Sequence, residues 1–300
     1  MGVTQVYLDQ LIRKITEGNF IALARALTLV ENDIAPASDL LKSLSMNRKI
    51  PVVGITGPPG AGKSTLVSAI TEELCLLNKR VAILAVDPSS PFNYGSLLGD
   101  RIRMAKHFNH PNVYIRSVAT RGSLGGISAK TIEMVDVLRA SNFDLIIIET
   151  VGVGQSEIEI AGLANKTILV LVPEAGDEIQ HIKSGLMEVA QAFVVNKADR
   201  EGADVFANNL QKMVREQHQA IPVFKTVADK NIGITALCDW ILNAEEADYS
   251  KIEYFLADQA FRLIQSKRMK DINRAKIHSL IKEELATHSF NMYQFVERLV

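Results

Sequence analysis

The stretch Ile50-Pro51-Val52-Val53-Gly54-Ile55-Thr56-Gly57-Pro58-Pro59-Gly60-Ala61-Gly62-Lys63-Ser64-Thr65-Leu66-Val67 decides the fold. Its first seven residues are largely apolar and β-branched, as a parallel strand buried on both faces should be. Gly57 to Ser64 fit G-x-x-x-x-G-K-[ST], and Lys63 to Val67 open a helix. Strand, glycine loop and helix in this order form a phosphate-binding loop. The glycines let backbone N–H groups turn onto a polyphosphate, and the helix N-terminus adds its positive end. Lys63 is expected to reach the β- and γ-phosphates, and Ser64 to offer its hydroxyl to Mg²⁺. The nucleotide-binding candidates here are Gly57, Pro58, Pro59, Gly60, Ala61, Gly62, Lys63, Ser64 and Thr65.

A second word, Asn196-Lys197-Ala198-Asp199, fits N-K-x-D and follows the apolar run Ala192 to Val195. The Asp199 carboxylate can accept two hydrogen bonds, from N1–H and the 2-amino group of guanine. Adenine has no such donor pair and would leave the carboxylate unmatched. Lys197 can lie over the base, and Asn196 can tie the loops together. By itself the tetrapeptide would read as a solvated turn. After a strand and downstream of a phosphate loop, it points to GTP and GDP rather than ATP.

A magnesium nucleotide site needs hard oxygen ligands near the strand ends. Asp87 ends the run Val81 to Val86, and Glu149 ends the run Leu145 to Ile148. An acid directly after an apolar strand sits at the edge where α/β proteins bind ligands. Asp100, in Leu97-Leu98-Gly99-Asp100-Arg101, is a third candidate, although a helix N-cap would look the same. Beyond Glu149, Gly152 can bring a backbone N–H onto a γ-phosphate, a contact that would form and release with hydrolysis. Gln155 can orient a water, but a surface glutamine fits the pattern as well.

The chain has 300 residues, 47% of them hydrophobic, enough for one large α/β domain with helical additions. A formal net charge of −1 leaves no nucleic-acid footprint, and Lys267-Arg268-Met269-Lys270 reads as a solvated helix face. Cys75 and Cys238 are isolated, as in a reducing compartment. His107 and His110 lack the further ligands of a structural zinc site. No signal-peptide pattern opens the sequence, and no apolar run is long enough to span a bilayer. The expectation is a cytoplasmic protein without membrane contact, or an organelle-matrix protein if a transit segment was trimmed.

Residues 1–48 read as a helical segment, with Leu8, Leu11, Ile12 and Ile15, then Leu23, Leu27 and Val30, at helical spacing. Pro36 is expected to open a third short helix. Residues 49–245 form the nucleotide domain: apolar runs at 50–56, 81–86, 112–115, 145–148, 167–172, 192–195 and 222–224 alternate with helical stretches. This is the rhythm of a mostly parallel sheet with helices on both faces. Residues 246–300 are helical, with stripes at Ile252, Phe255 and Leu256 and at Ile277, Leu280, Ile281 and Leu285. These stripes need burial, by dimerisation or by folding back.

Six longer words add to this: Val86-Asp87-Pro88-Ser89-Ser90-Pro91, Leu98 to Met104, Arg121-Gly122-Ser123-Leu124-Gly125-Gly126, Glu149 to Glu157 (ETVGVGQSE), Pro173 to Gln180 and Asn196 to Asp199. Together they closely resemble the MeaB/ArgK/MMAA family, over nearly the whole chain. The resemblance implies a homodimeric GTPase of the SIMIBI class. Such proteins are chaperones of adenosylcobalamin-dependent acyl-CoA mutases, methylmalonyl-CoA mutase above all. They gate loading of intact cofactor, protect the mutase and help release damaged cofactor. By the same resemblance, Lys63, Asp87, Asp100, Glu149 and Gly152 form the catalytic set, with Ser64, Asp87, Asp100 and Glu149 on the metal side. Pro173 to Lys183 would be the segment that couples to the mutase, with Gln180 and Lys183 as its contacts. Thr226-Val227-Ala228 stand where the family has Thr-Ser-Ala, a base contact made mainly by backbone. Phe92-Asn93-Tyr94-Gly95 replace the family's small Gly-Gly pair in the first switch. Arg101, Arg103, Arg116 and Arg121 are the candidates for an arginine finger, and without a clear one hydrolysis should be slow until the partner binds. The rival readings are a kinase or ATPase of a transport system, a GTPase inserting another metal such as nickel, and a non-catalytic adaptor.

Overall fold

Seven strands account for all seven apolar runs. They are β1 (Val52–Thr56), β2 (Val81–Asp87), β3 (Val113–Ala119), β4 (Leu145–Thr150), β5 (Lys166–Leu171), β6 (Ala192–Val195) and β7 (Val223–Lys225). They form one sheet in the order β3-β2-β4-β1-β5-β6-β7, and every neighbouring pair is parallel. The computed structural model describes residues 2–45, 50–87, 104–119, 129–150, 160–175, 190–216, 221–243, 252–269, 272, 274–287 and 290–299. Among these, α1 (Gly2–Thr16), α2 (Phe20–Glu31), α3 (Ala37–Ser43), α4 (Lys63–Leu76), α5 (Ala129–Arg139), α6 (Ala203–Glu216) and α7 (Ile234–Asn243) belong with the sheet.

The central strands β1, β4, β5 and β6 are buried on both faces, which is why they read as unbroken apolar runs rather than alternating ones. On one face Val53, Ile55, Ile83, Ile147, Ile168, Val170 and Val194 meet Leu66, Val67, Ile70 and Leu74 of α4 and Leu237, Cys238 and Ile241 of α7. On the other, Leu169, Leu171, Phe193 and Val195 meet Phe206, Leu210 and Val214 of α6. The N-terminal helices extend this second layer. Phe20 of α2 packs with Tyr114 of β3 and Phe143, at 5.5 and 6.1 Å between ring centroids. Arg80 donates to the Gly18 carbonyl at 3.0 Å and lies over the Phe20 ring. Glu31 of α2 pairs with Arg116 of β3, and Asp33 with Lys130 of α5 at 3.2 Å.

The chain divides into two compact units, Met1–Phe255 and Leu256–Val300. The helices expected within 1–48 lie in the same unit as the sheet. The boundary falls inside α8 (Ile252–Arg268), which is followed by α9 (Arg274–Thr287) and α10 (Met292–Glu297). In this second unit the rings of Phe290 and Phe295 meet at a tilt, 5.5 Å between centroids, and Asn291 caps α10 through Tyr293 and Gln294. Leu256, Phe261, Ile264, Leu285, Tyr293 and Val296 are exposed. The side chains of Ile252 and Phe255 lie outside the described residues. No helix among the described residues is long and apolar enough to cross a membrane.

His107 is built into the core. Its Nε2 lies 3.0 Å from both the hydroxyl and the carbonyl oxygen of Ser68, on the second turn of α4. Burial holds its pKa below the ordinary value, against the pull of the Ser68 carbonyl. The folded state therefore resists protonation that the unfolded chain accepts from about pH 6.5 downward. Stability from this group is complete above about pH 6.5 and declines as the pH falls toward the lowered folded value. His107→Gln should flatten the fall of unfolding free energy between about pH 6.5 and 5. Urea titrations at several pH values measure this, and an unchanged slope would refute it.

Candidate functional site

The carboxyl edge of the sheet gathers the residues singled out from the sequence. β1 lies between β4 and β5, so the loop after Thr56 opens at the middle of that edge. Gly57 has φ +144°, and a Cβ there would come within 2.1 Å of the Val170 carbonyl oxygen on β5. Only a glycine lets the loop leave the strand that closely. Gly62, at φ +84°, forms the left-handed entry to α4, so no side chain caps the first turn. The amides that open a helix point along its axis at the positive end of the dipole, a setting that suits an anion. Lys63 is buried at the mouth of the loop, its ammonium donating to the carbonyls of Gly57 at 2.8 Å and Pro58 at 2.9 Å.

Ser64 donates its hydroxyl to Glu149 Oε1 at 2.7 Å, and both residues are buried. The strand register produces this contact. Ile55 stands opposite Glu149 on β4, which puts the carboxylate beside the start of the loop. Thr150 donates to Thr56 Oγ1 at 3.0 Å and knits the same two strand ends. On the next strand outward, Ala85 stands opposite Glu149, so Asp87 ends β2 two residues further on. The side chain of Asp87 lies outside the described residues, as do Asp100, Gly152, Gln155, Gln180, Lys183, the run Phe92 to Gly95, and Arg101, Arg103 and Arg121. Arg116 is engaged with Glu31 and Thr28 of α2.

The base-loop candidates meet the phosphate loop through Asn196, which is 2% exposed. Its Nδ2 donates to the Ala61 carbonyl at 2.9 Å. Its Oδ1 accepts from Thr226 Oγ1 at 3.1 Å and from the Ala228 N–H at 3.3 Å. The Thr226 carbonyl in turn accepts from the Ala198 N–H at 3.0 Å. Lys197 has φ +55°, and its ammonium donates to the Gly60 carbonyl at 2.7 Å. Asp199 stands at the outer rim, its Oδ2 2.8 Å from the ammonium of Lys230. That ammonium, more than any other group, holds the Asp199 carboxyl below the usual range. Arg200 pairs with Glu174 on the turn after β5.

The structure thus brings Gly57–Thr65, Glu149, Asn196–Asp199 and Thr226–Ala228 to one edge. Sequence reading missed two contributors, the Thr226 hydroxyl as a support of Asn196 and Lys230 as the partner of Asp199. Each lies about thirty residues from the group it touches, and only their place after β7 hints at a role. Neither cysteine adds chemistry. Burial raises both thiols, Cys238 to about 12, so they stay protonated.

Asn196→Ala would strip one donor and two acceptor contacts from a buried hub. A loss of about 2–3 kcal/mol is expected, since buried polar partners are left unmatched. Chemical denaturation measures it, and a change below about 0.5 kcal/mol, the size of an ordinary surface substitution, would contradict the hub role.

Comparison with known proteins places these features. Residues 23–289 match the family model of the methylmalonyl Co-A mutase-associated GTPase MeaB. A Pyrococcus abyssi protein named as a GTPase is 44% identical over 283 residues, covering 92% of this chain and 83% of its own. GTPase ArgK of Escherichia coli is 40% identical, covering 66% of this chain and 61% of its own. The mouse mitochondrial methylmalonic aciduria type A homolog is 39% identical, covering 65% of this chain and 51% of its own. The solved structure of a LAO/AO transport system kinase shares the fold, with a TM-score of 0.65 and 23% identity over 98% of this chain and 96% of that one.

Proposed function

Because this chain belongs to the MeaB family, the methylmalonyl Co-A mutase-associated GTPases, we propose that its GTP cycle serves an adenosylcobalamin-dependent acyl-CoA mutase. The chain is a GTPase that binds GTP and GDP, and the reaction is GTP + H₂O → GDP + phosphate. Its service to the mutase is to admit intact cofactor, protect the loaded enzyme and release damaged cofactor. Methylmalonyl-CoA mutase is the partner the family description favours. The observation that carries the nucleotide assignment is the Asn196 amide, which holds a phosphate loop and a guanine-reading loop in one rigid piece.

In this reading Lys63 and the loop amides bind and orient the β- and γ-phosphates, and they stabilise the charge that spreads over the transferred group. Asp199 selects guanine, Lys197 covers the base, and Thr226, Val227 and Ala228 close its edge with backbone groups. Ser64 and Glu149 bring a hydroxyl and a carboxylate oxygen together, a donor pair that suits Mg²⁺. Asp87 and Asp100 complete the proposed metal side. Magnesium, when bound, supplies positive charge to the phosphate oxygens. Gly152 is proposed to meet the γ-phosphate, and Gln180 and Lys183 the mutase. No helix of the described residues suits a membrane span, and the proposed setting is the cytoplasm.

The test is GTP turnover by the purified protein, alone and with its host's adenosylcobalamin-dependent mutase, with ATP as the control. A slow basal rate, raised at least tenfold by the mutase and absent with ATP, is expected. A rate indifferent to the mutase would remove the chaperone reading and keep the GTPase.

A homodimer through the C-terminal helices is part of the proposal, because Phe261, Ile264 and Leu285 are exposed apolar residues there. The double variant Phe261→Glu, Ile264→Glu should sediment as a monomer where the parent sediments as a dimer. A parent that sediments as a monomer would rule the dimer out.

A further inference from the structure

We propose that Lys230 is a positioning residue for guanine selection: it sets the orientation of the Asp199 carboxylate that reads the base. The inference rests on the reading of Asp199 as the guanine acceptor and adds a residue to it.

Asp199 has a difficult task for its location. To accept from both N1–H and the 2-amino group, its two oxygens must face the base edge together. Yet its side chain is 42% exposed, where a carboxylate ordinarily rotates freely. The ammonium of Lys230, 2.8 Å from Oδ2, restrains that rotation. A carboxylate oxygen has two lone-pair directions, so one contact with Lys230 leaves Oδ2 able to accept a second bond. Presenting an acceptor already in its bound orientation lowers the ordering cost of binding.

The lysine can do this because its own backbone is fixed. Lys230 ends the turn Ala228–Lys230, and its N–H donates to the Val227 carbonyl at 3.0 Å. Val227 and Ile232 bridge antiparallel, with N–H to carbonyl distances of 3.0 and 3.2 Å. The Ala228 N–H is anchored on Asn196 Oδ1 at 3.3 Å. Asn196 stands three residues before Asp199. A closed ring results: Asn196 holds the turn, the turn carries Lys230, and Lys230 holds Asp199. Among the described residues nearest Asp199 in the chain, Lys197 reaches the Gly60 carbonyl and Arg200 reaches Glu174.

The test compares steady-state hydrolysis of GTP and ITP by the full-length protein. ITP lacks the 2-amino group, so the ratio of kcat/KM values reports the second acceptor contact. An exposed ion pair supplies roughly a two- to fivefold effect. Lys230→Met should lower the GTP/ITP ratio by about that factor, through KM for GTP rather than kcat. Lys230→Arg should restore most of it. In an Asp199→Asn background, Lys230→Met should change the ratio no further. A Lys230→Met ratio equal to the parent's, or a lower KM for GTP showing that the lysine competes with the base, overturns the proposal. If Asp199→Asn itself leaves the ratio intact, the reading of Asp199 fails. If Asp199→Asn collapses the ratio and Lys230→Met leaves it intact, Lys230 alone is refuted.

Discussion

The buried amide of Asn196 is the joint on which the candidate site depends. Its nitrogen reaches the Ala61 carbonyl of the phosphate loop, and its oxygen takes donors from Thr226 and Ala228. An amide suits the place because it alone among short side chains offers donors and an acceptor on one planar group. A carboxylate would have no proton for the Ala61 carbonyl, and an aliphatic chain would strand polar groups in the core. The other half of the joint is the bare Cα of Gly62, where a Cβ would sit 2.5 Å from the Asn196 nitrogen. Loops that follow β1, β6 and β7 are thereby set in one geometry, although β5 separates the first from the other two. The candidate phosphate and base loops are parts that cannot shift independently.

The acids at the same edge obey a different constraint, the strand register. Ile55 opposite Glu149 and Glu149 opposite Ala85 fix how far each strand runs before it ends. Glu149 finishes beside the loop and takes the Ser64 hydroxyl, while β2 runs two residues longer to Asp87. A slip of one residue would turn Glu149 toward the opposite face and replace it with Ile148 or Thr150. Such a slip would also break the register-specific contacts of Thr150 with Thr56 and of Ser64 with Glu149.

Much of this was legible in the chain. Strands buried on both faces must be apolar throughout, so the seven runs stood out against polar loops, and glycine with Lys63-Ser64 marked the strand that leads into the candidate phosphate loop. Asn196 as a tie between loops could be read because N-K-x-D links that residue to a phosphate loop upstream. What stayed hidden was tertiary pairing. Nothing near Phe20 announces that it closes an aromatic cluster with Tyr114 and Phe143, so the sequence shows the N-terminal helices but not what they pack on. Lys230 looked like any surface lysine, since its meaning lies in a carboxylate thirty-one residues earlier. The spacing of His107 and His110 spoke against a zinc site but did not say what His107 does, and only the fold shows it beside Ser68.

The strand order also dictates when the site can exist during synthesis. β1 emerges early, yet its neighbours are β4 and β5, and the Ala61–Asn196 bond closes a separation of 135 residues. Contacts that distant must wait for the intervening chain and its closure entropy. A ribosome that has delivered the phosphate loop has therefore delivered glycines with nothing to hold them. The loop acquires its shape only after β6 has left the exit tunnel, and the base-facing rim only after the turn at 228–230. In the proposed reading, guanine nucleotide then finds its full set of contacts only once the chain has been made past residue 230. Retention of GTP by a nascent chain would thus report that the sheet has closed, and a product truncated before residue 196 would carry the signature loop without the grip.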